Sequence, residues 1–156
     1  MHWLSSMLDW QLGGALAWKI SVAYLLALPI GWEREREEHS VGVRTFPLVA
    51  MASCGYVLVA DAISGGDPSA RSRVIQGLTT GIGFIGGGAI MRSKGNVHGT
   101  ATAASIWNTG VVGVAVASSR LEIAIILSLF NLITLRLLLP LKARLDNDAR
   151  RRRASP

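Results

Sequence analysis

The stretch from Gly77 to Gly113 most constrains what this chain can fold into, because its first half is apolar and rich in glycine. Glycine inside a helix costs about 1 kcal/mol relative to alanine, so closely spaced glycines would unfold an isolated helix in water. In a bilayer, each helix satisfies its own backbone hydrogen bonds, and small residues let helices approach closely. The stretch therefore favours membrane helices packed through six glycines: Gly77, Gly81, Gly83, Gly86, Gly87 and Gly88.

The segment from Gly81 to Gly86 also matches the glycine fingerprint of dinucleotide-binding proteins. That fingerprint requires a preceding strand and an acidic residue about 20 positions further on. The residues before Gly81 read GLTT, and no Asp or Glu follows until Glu122. The nucleotide-binding hypothesis is therefore rejected.

The composition indicates a membrane protein and argues against two other classes. Hydrophobic residues make up 50% of the 156 residues, and the mean hydropathy is +0.38. The net charge is +6, and four of the positive charges are the tail residues Arg150–Arg153. Because this tail has no aromatic residues on which bases could stack, nucleic acid is not an expected partner. Since no nucleophile, base and orienting residue stand together, neither enzymatic activity nor a cofactor is expected.

Five apolar segments of about 18 to 20 residues are long enough to cross a bilayer as helices. They are residues 12–31, 46–63, 74–91, 100–117 and 121–139. Pro140 is expected to end the last helix. The sequence thus predicts an all-α polytopic membrane protein, with a transmembrane domain over residues 1–140 and a basic, disordered cytoplasmic tail over residues 141–156.

The charges in the loops predict the orientation of these spans. Eleven Lys and Arg residues follow the first, third and fifth segments, whereas three lie in the other loops. Because cytoplasmic loops carry an excess of positive charge, the N-terminus is expected outside and the C-terminus in the cytoplasm. An odd number of spans is consistent with this arrangement.

Five motif blocks follow one another along the chain in a characteristic order and spacing. They are Gly31–Glu35, Gly42–Thr45, Arg73, Gly81–Ile90 and Gly99–Trp107. Together they resemble the signature of the MgtC/SapB family, over about residues 20 to 135. The resemblance implies a bacterial inner-membrane protein from a family linked to growth in low magnesium and, in some pathogens, to survival inside macrophages. MgtC proper also carries a soluble ACT-like C-terminal domain. Since only about 16 residues follow Pro140, a short, SapB-like form is expected.

Two functions are compatible with this resemblance. Members were named as magnesium transporters, but the better-studied MgtC members look like regulators that act on other membrane proteins, including ATP synthase. The resemblance therefore implies a non-transporting regulator linked to magnesium limitation or stress adaptation. The alternative is a small transporter of Mg²⁺ or another ion. The expected partners are the lipid bilayer, other inner-membrane proteins and a second copy of the chain.

The motifs supply five candidate polar site residues: Glu33, Arg34, Arg44, Arg73 and Asn108. Glu33 either attracts Mg²⁺, which prefers carboxylate oxygens, or pairs with arginines at a solvated helix end. Arg44 and Arg73 open segments on opposite sides, as functional residues or as snorkelling anchors. Asn108, where many members have Cys, belongs to a polar stripe that either bonds a neighbouring helix or lines a pathway.

Two further expectations concern residues inside the spans. Lys19 lies within the first segment, so it either extends to the outer surface or marks an intramembrane functional site. Trp107 joins the six glycines as a helix-packing residue. If the third and fourth helices cross closely at residues 81–88, leucine at Gly83 or Gly87 should be more damaging than leucine at Ala115.

Overall fold

The computed structural model describes residues 10–36, 42–93 and 96–154, and the chain over these ranges is predominantly helical. The helices are α1 (Trp10–Glu35), α2 (Thr45–Ser64), α3 (Pro68–Gly88), α4 (Thr100–Ala117) and α5 (Leu121–Ala154). A short antiparallel hairpin of β1 (Met91–Ser93) and β2 (Asn96–His98) connects α3 to α4, where a plain linker was predicted. The predicted all-α class is confirmed.

Helix α4 lies at the centre of the bundle and packs against all four other helices. Neighbouring helices run in alternating directions, so α1 and α5 both finish at the end of the bundle that contains Arg34, here called the Arg34 end. The ion pair between Glu33 on α1 and Arg136 on α5 marks this end. The opposite end, called the Asp61 end, contains the pair between Asp61 on α2 and Arg71 on α3.

Among the described residues, four helices are long and apolar enough to cross a membrane: residues 11–35, 45–64, 100–117 and 121–138. The polytopic membrane architecture is thus confirmed, but five spans are one more than this criterion supports. Helix α3 falls short because Arg71, Arg73 and Gln76 lie in its first turns and glycine adds little apolar surface. It still runs from the Asp61 end to Gly86, which approaches Ala103 near the start of α4. Membrane crossing by α3 stays a prediction.

The sharp turn between α2 and α3 follows from four consecutive residues. Gly65 and Gly66 both have positive φ, a conformation that glycine adopts without steric cost. Asp67 then caps α3 by accepting a hydrogen bond of 2.9 Å from the Ser69 backbone N–H, and Pro68 occupies the first helical position. The hydrogen bonds from Ser69 hold the pKa of the Asp67 carboxyl below its ordinary value.

The last helix is longer than predicted. It continues through Pro140 to Ala154, so the prediction that Pro140 ends it is wrong. A proline removes one backbone donor from a helix but does not always terminate it, as Pro29 inside α1 also illustrates. The backbone of residues 141–154 is helical, whereas disorder was predicted. The division of the chain at residue 140 and the cytoplasmic placement of its tail stay predictions.

Candidate functional site

The first two motif blocks meet at the Arg34 end of the bundle. Val43 donates its backbone N–H to Glu35 Oε2 at 3.0 Å, which joins the loop before α2 to the end of α1. A Cβ built on Gly31 would lie 3.0 Å from Val43 Cα, and one built on Gly42 would overlap the Glu35 side chain. Both glycines therefore allow the loop before α2 to approach the end of α1 closely, which gives their place in the motif a structural reason.

Glu33 and Arg34 point in different directions from neighbouring positions on α1. The Glu33 carboxylate accepts a hydrogen bond of 2.9 Å from Arg136 Nε, so it forms an ion pair between α1 and α5. Arg34 is only 2% exposed and is among the largest fully buried side chains of the described chain. The pair neutralises the carboxylate that was considered for Mg²⁺.

The described part of the chain contains no group of three or more His, Cys, Asp or Glu residues placed to hold a metal ion. Glu33 and Glu35 both bind groups of the protein itself. Glu37 and Glu38, the other acids of this segment, lie outside the described residues. A Mg²⁺ role for Glu33 stays a hypothesis.

Asn108 belongs to a row of hydrogen bonds between α4 and α5. Its Nδ2 donates to the Leu127 carbonyl oxygen at 3.3 Å. One turn closer to the Arg34 end, Ser105 Oγ donates to Asn131 Oδ1 at 2.8 Å, and Asn131 Nδ2 donates back to the Ser105 carbonyl oxygen at 3.5 Å. The contacts of Ser105 and Asn108 fit the interhelical reading of the polar stripe, whereas Thr109 Oγ1 donates to the Ser105 carbonyl oxygen within α4 at 2.8 Å.

Two further polar contacts tie α1 to other helices. Ser128 Oγ of α5 donates to the Leu26 carbonyl oxygen at 2.6 Å. Lys19 Nζ donates to the carbonyl oxygen of Ala117, the last residue of α4, at 3.0 Å. A positive charge at a helix C-terminus is favourable because unpaired carbonyls carry partial negative charge there. Lys19 therefore acts as a helix cap in this structure, which neither sequence hypothesis anticipated.

Arg44 and Arg73 lie at opposite ends of the bundle, as predicted. Arg44 immediately precedes α2 at the Arg34 end and is exposed. Arg73 lies near the start of α3, where its Nη2 donates to Ser69 Oγ at 3.4 Å. The structure therefore brings together the Glu33, Arg34 and Glu35 motif with the Gly42 loop, and leaves Arg73 apart from it.

The six candidate packing glycines of α3 differ from one another. A Cβ on Gly86 would lie 3.2 Å from the Ala103 carbonyl oxygen, so this glycine permits the approach of α4. At the other five glycines, an added Cβ would have nothing within 4 Å. The predicted close crossing of α3 and α4 within residues 81–88 is made by Ile82 and Gly86, whereas the other glycines of that range make no such approach. Trp107, also assigned to packing, is 50% exposed.

The close helix contacts lie instead at two glycines of α4 that were missed. A Cβ on Gly113 would overlap the Ala50 carbonyl oxygen of α2, and one on Gly110 would overlap the Ile82 side chain of α3. A signal existed in the sequence: small residues recur every fourth position on α4. They are Ser105, Thr109, Gly113 and Ala117. Such spacing places small residues on one helix face, which here is buried.

Asp61 was also missed, although it lies inside the second apolar segment. Arg71 Nε donates to Asp61 Oδ1 at 2.8 Å, and a second bond forms between Arg71 Nη2 and Asp61 Oδ2. This bidentate geometry is the strong form of an arginine–carboxylate contact. An acid in an apolar run, followed ten positions later by an arginine beyond a Gly-Gly turn, was the available signal.

The sequence model of the MgtC family matches residues 20–144. The chain belongs to the MgtC family. It is 34% identical over 139 residues to Protein SrpB of Synechococcus elongatus, an alignment that covers 81% of this chain and 75% of SrpB. No solved structure matches the chain.

Two further relatives are similar in sequence over most of this chain, and the name of one of them, YhiD, refers to magnesium. Protein MgtC of Brucella abortus is 36% identical over 132 residues, which cover 85% of this chain and 55% of MgtC. The Putative magnesium transporter YhiD of Escherichia coli K12 is 34% identical over 138 residues, which cover 83% of this chain and 63% of YhiD. The chain thus spans little more than half the length of Brucella MgtC and less than two thirds of YhiD.

Proposed function

We propose that this MgtC-family protein is a regulator of adaptation to magnesium limitation or stress that acts by contact with other proteins of the bacterial inner membrane. In this proposal its N-terminus lies outside and its C-terminus in the cytoplasm. The protein carries no ion and catalyses no reaction. Family membership supports the magnesium link, and the bundle itself supports action by contact.

The observation that carries the proposal is the outward face of α3, defined here by Gln76, Thr80, Gly83 and Gly87. Their spacing of three or four residues places them on one helix face, and all four are exposed. A Cβ added to Gly83 or Gly87 would meet nothing within 4 Å. The Thr80 hydroxyl is satisfied by donating to the Gln76 carbonyl oxygen at 3.1 Å. This flat face suits close approach by a partner helix.

The placement of the acids also supports contact rather than transport. Glu33 in the spanning helix α1 is paired with Arg136, and Asp61 in the spanning helix α2 is paired with Arg71. A path for a divalent ion would need oxygen ligands to replace its water molecules. An acid that pairs with a guanidinium is less able to supply such a ligand, because the ion would first have to displace the arginine.

The proposal is tested by recovery of partners from native membranes. The tagged full-length protein is crosslinked in the cells that produce it, and the captured membrane proteins are identified by mass spectrometry. Leucine at Gly83 or Gly87 projects from the outward face of α3 and should reduce recovery of the partner about tenfold, which corresponds to ~1.4 kcal/mol of lost contact energy.

Gly81→Leu is the matched control, because Gly81 lies on the same helix with equally open surroundings but on the side that faces α2. Its partner recovery should equal that of the wild type. Equal recovery with all three variants, at equal amounts of protein in the membrane, would contradict the proposed contact surface.

A second candidate function is ion transport. It is favoured by the name of the relative YhiD, Putative magnesium transporter, and by the polar row that contains Ser105, Asn108 and Asn131 between α4 and α5. In this alternative, the amide and hydroxyl groups of the row would line a path for an ion after the two helices separate. Mg²⁺ flux into liposomes that contain only the purified protein distinguishes the two functions.

A further inference from the structure

A second surface of α3 borders an apolar groove of about 820 Å³ between α2 and α3. On the α2 side its wall includes Thr45, Leu48 and Tyr56, and on the α3 side Gly77, Gly81 and Ile85. Leu48 is 52% exposed and Tyr56 is 62% exposed, so the groove opens to the surroundings of the bundle rather than into its core. Its floor along α3 is lowered by the two glycines, at which a Cβ would meet nothing within 4 Å.

The length of the groove corresponds to one leaflet of a bilayer. From Thr45 to Tyr56 the α2 wall rises through 11 residue steps, which is about 16.5 Å at 1.5 Å per residue. The hydrocarbon core of a bilayer is about 30 Å thick, so one leaflet contributes about 15 Å. The groove begins at the Arg34 end of the bundle and stops near the middle of α2. An extended acyl chain of a single leaflet therefore fits along it.

The positive charge of Arg44 at the open end of the groove favours a lipid with an anionic headgroup. Arg44 is exposed and directly precedes Thr45, the groove residue nearest the surface. Arginine is well suited to phosphate because its planar guanidinium donates several hydrogen bonds. The headgroup of a lipid whose chain lies in the groove would be at the level of Arg44. An anionic headgroup would gain from this charge, whereas a zwitterionic headgroup carries a compensating positive charge.

We propose that the groove between α2 and α3 is a binding site for an anionic phospholipid, with one acyl chain along Gly77 and Gly81 and the phosphate against Arg44. This assignment does not depend on the regulatory function, since it concerns a different face of α3. It also gives Arg44 a role as a lipid-headgroup ligand, more specific than that of a general snorkelling anchor.

The test is native mass spectrometry of the purified full-length protein, titrated with phosphatidylglycerol or with phosphatidylcholine of the same chain length. The wild type should retain phosphatidylglycerol about fivefold better, the ratio expected from one arginine near an anionic headgroup. Arg44→Gln should remove this preference. Arg73→Gln is the control, because Arg73 is an exposed arginine at the opposite end of the bundle, and this variant should keep the preference.

Groove-filling variants test the position of the acyl chain. Gly81→Leu should lower retention of both lipids several-fold without lowering the unfolding temperature, since the leucine projects into open space and favours a helix more than glycine does. Gly83→Leu, on the outward face of α3, should retain lipid as the wild type does.

Three results would overturn the assignment. They are equal retention of the two lipids by the wild type, unchanged preference in Arg44→Gln, or identical retention by Gly81→Leu and Gly83→Leu. A dimer mass in the wild type that is lost in Gly81→Leu would show instead that a second copy of the chain occupies the groove.

Discussion

Replacing Gly113 by alanine should lower the stability of the bundle by about 1–3 kcal/mol, the usual cost of overpacking a core. The added Cβ would overlap the Ala50 carbonyl oxygen and lie 2.9 Å from Ser53 Cβ, so the backbones of α2 and α4 would have to separate. Gly110→Ala should cost less, because its Cβ meets the far end of the flexible Ile82 side chain. Unfolding of the purified protein, followed by circular dichroism in mild detergent, measures both changes.

Gly83→Ala is the control for this pair, since its Cβ would meet nothing within 4 Å. Alanine favours a helix by about 1 kcal/mol over glycine, so this variant should be as stable as the wild type or more stable. Leucine at Ala115, which is 6% exposed, should likewise be worse than leucine at Gly83, the reverse of the order predicted from the sequence. Equal stability of Gly113→Ala and Gly83→Ala would contradict the packing described for α4.

Arg34→Ala should be the most damaging change at the Arg34 end, at about 3 kcal/mol, within the range for truncation of large buried side chains. Arg34 is 2% exposed, so its truncation leaves a cavity inside the bundle. Arg34→Met keeps most of the volume but not the charge, and it should recover part of the loss. The same unfolding measurement applies to both variants.

The control for Arg34 is Arg36→Ala, because Arg36 lies two residues further along the chain and is exposed. It should change stability by less than about 0.5 kcal/mol, as surface substitutions usually do. If Arg34→Ala were equally harmless, the buried position of Arg34 would be contradicted, and the motif arginine would be free to serve a partner directly.

The helices that were predicted accurately are those with unambiguous ends. Helix α4 spans Thr100–Ala117 as predicted, because it follows Gly99 and precedes the Ser-Ser-Arg turn. Gly99 has φ of +85°, and a Cβ there would overlap the Ala89 carbonyl oxygen, so this boundary depends on glycine. Helix α2 differs from its predicted bounds by one residue at each end, since Arg44 and the Gly65-Gly66 turn delimit it.

The glycines of α3 show why the packing could not be predicted in the same way. They include three consecutive residues, Gly86–Gly88, and a pair two residues apart, Gly81 and Gly83, so they lie on several sides of the helix and no single face is distinguished. Only the tertiary arrangement decides that Gly86 faces α4 while Gly83 faces outward. The prediction that small residues allow close helix packing was therefore right, but it placed those residues on α3. The closest helix contacts are made by small residues of α4.

The sequence identified residues of the candidate site but not the contacts between them. The motifs identified Glu33, Arg34 and Asn108. The partners of Glu33 and Asn108 lie on α5: they are the Arg136 side chain, 103 residues from Glu33, and the Leu127 carbonyl oxygen, 19 residues from Asn108. Pairings across such distances depend on how α5 packs against α1 and α4. The sequence of α5 alone contains no signal for this register, because a single arginine in an apolar run is equally typical of a snorkelling anchor.

The central claim, that this protein acts by contact and carries no ion, is tested most directly by Mg²⁺ flux into liposomes that contain only the purified protein. We expect uptake no faster than in protein-free liposomes across a range of Mg²⁺ concentrations. Asn108→Ala and Glu122→Gln provide the comparison, because Asn108 lies in the polar row and Glu122 is exposed beside Arg120. Saturable uptake by the wild type that is lost in Asn108→Ala but kept in Glu122→Gln would contradict the claim and establish the transporter.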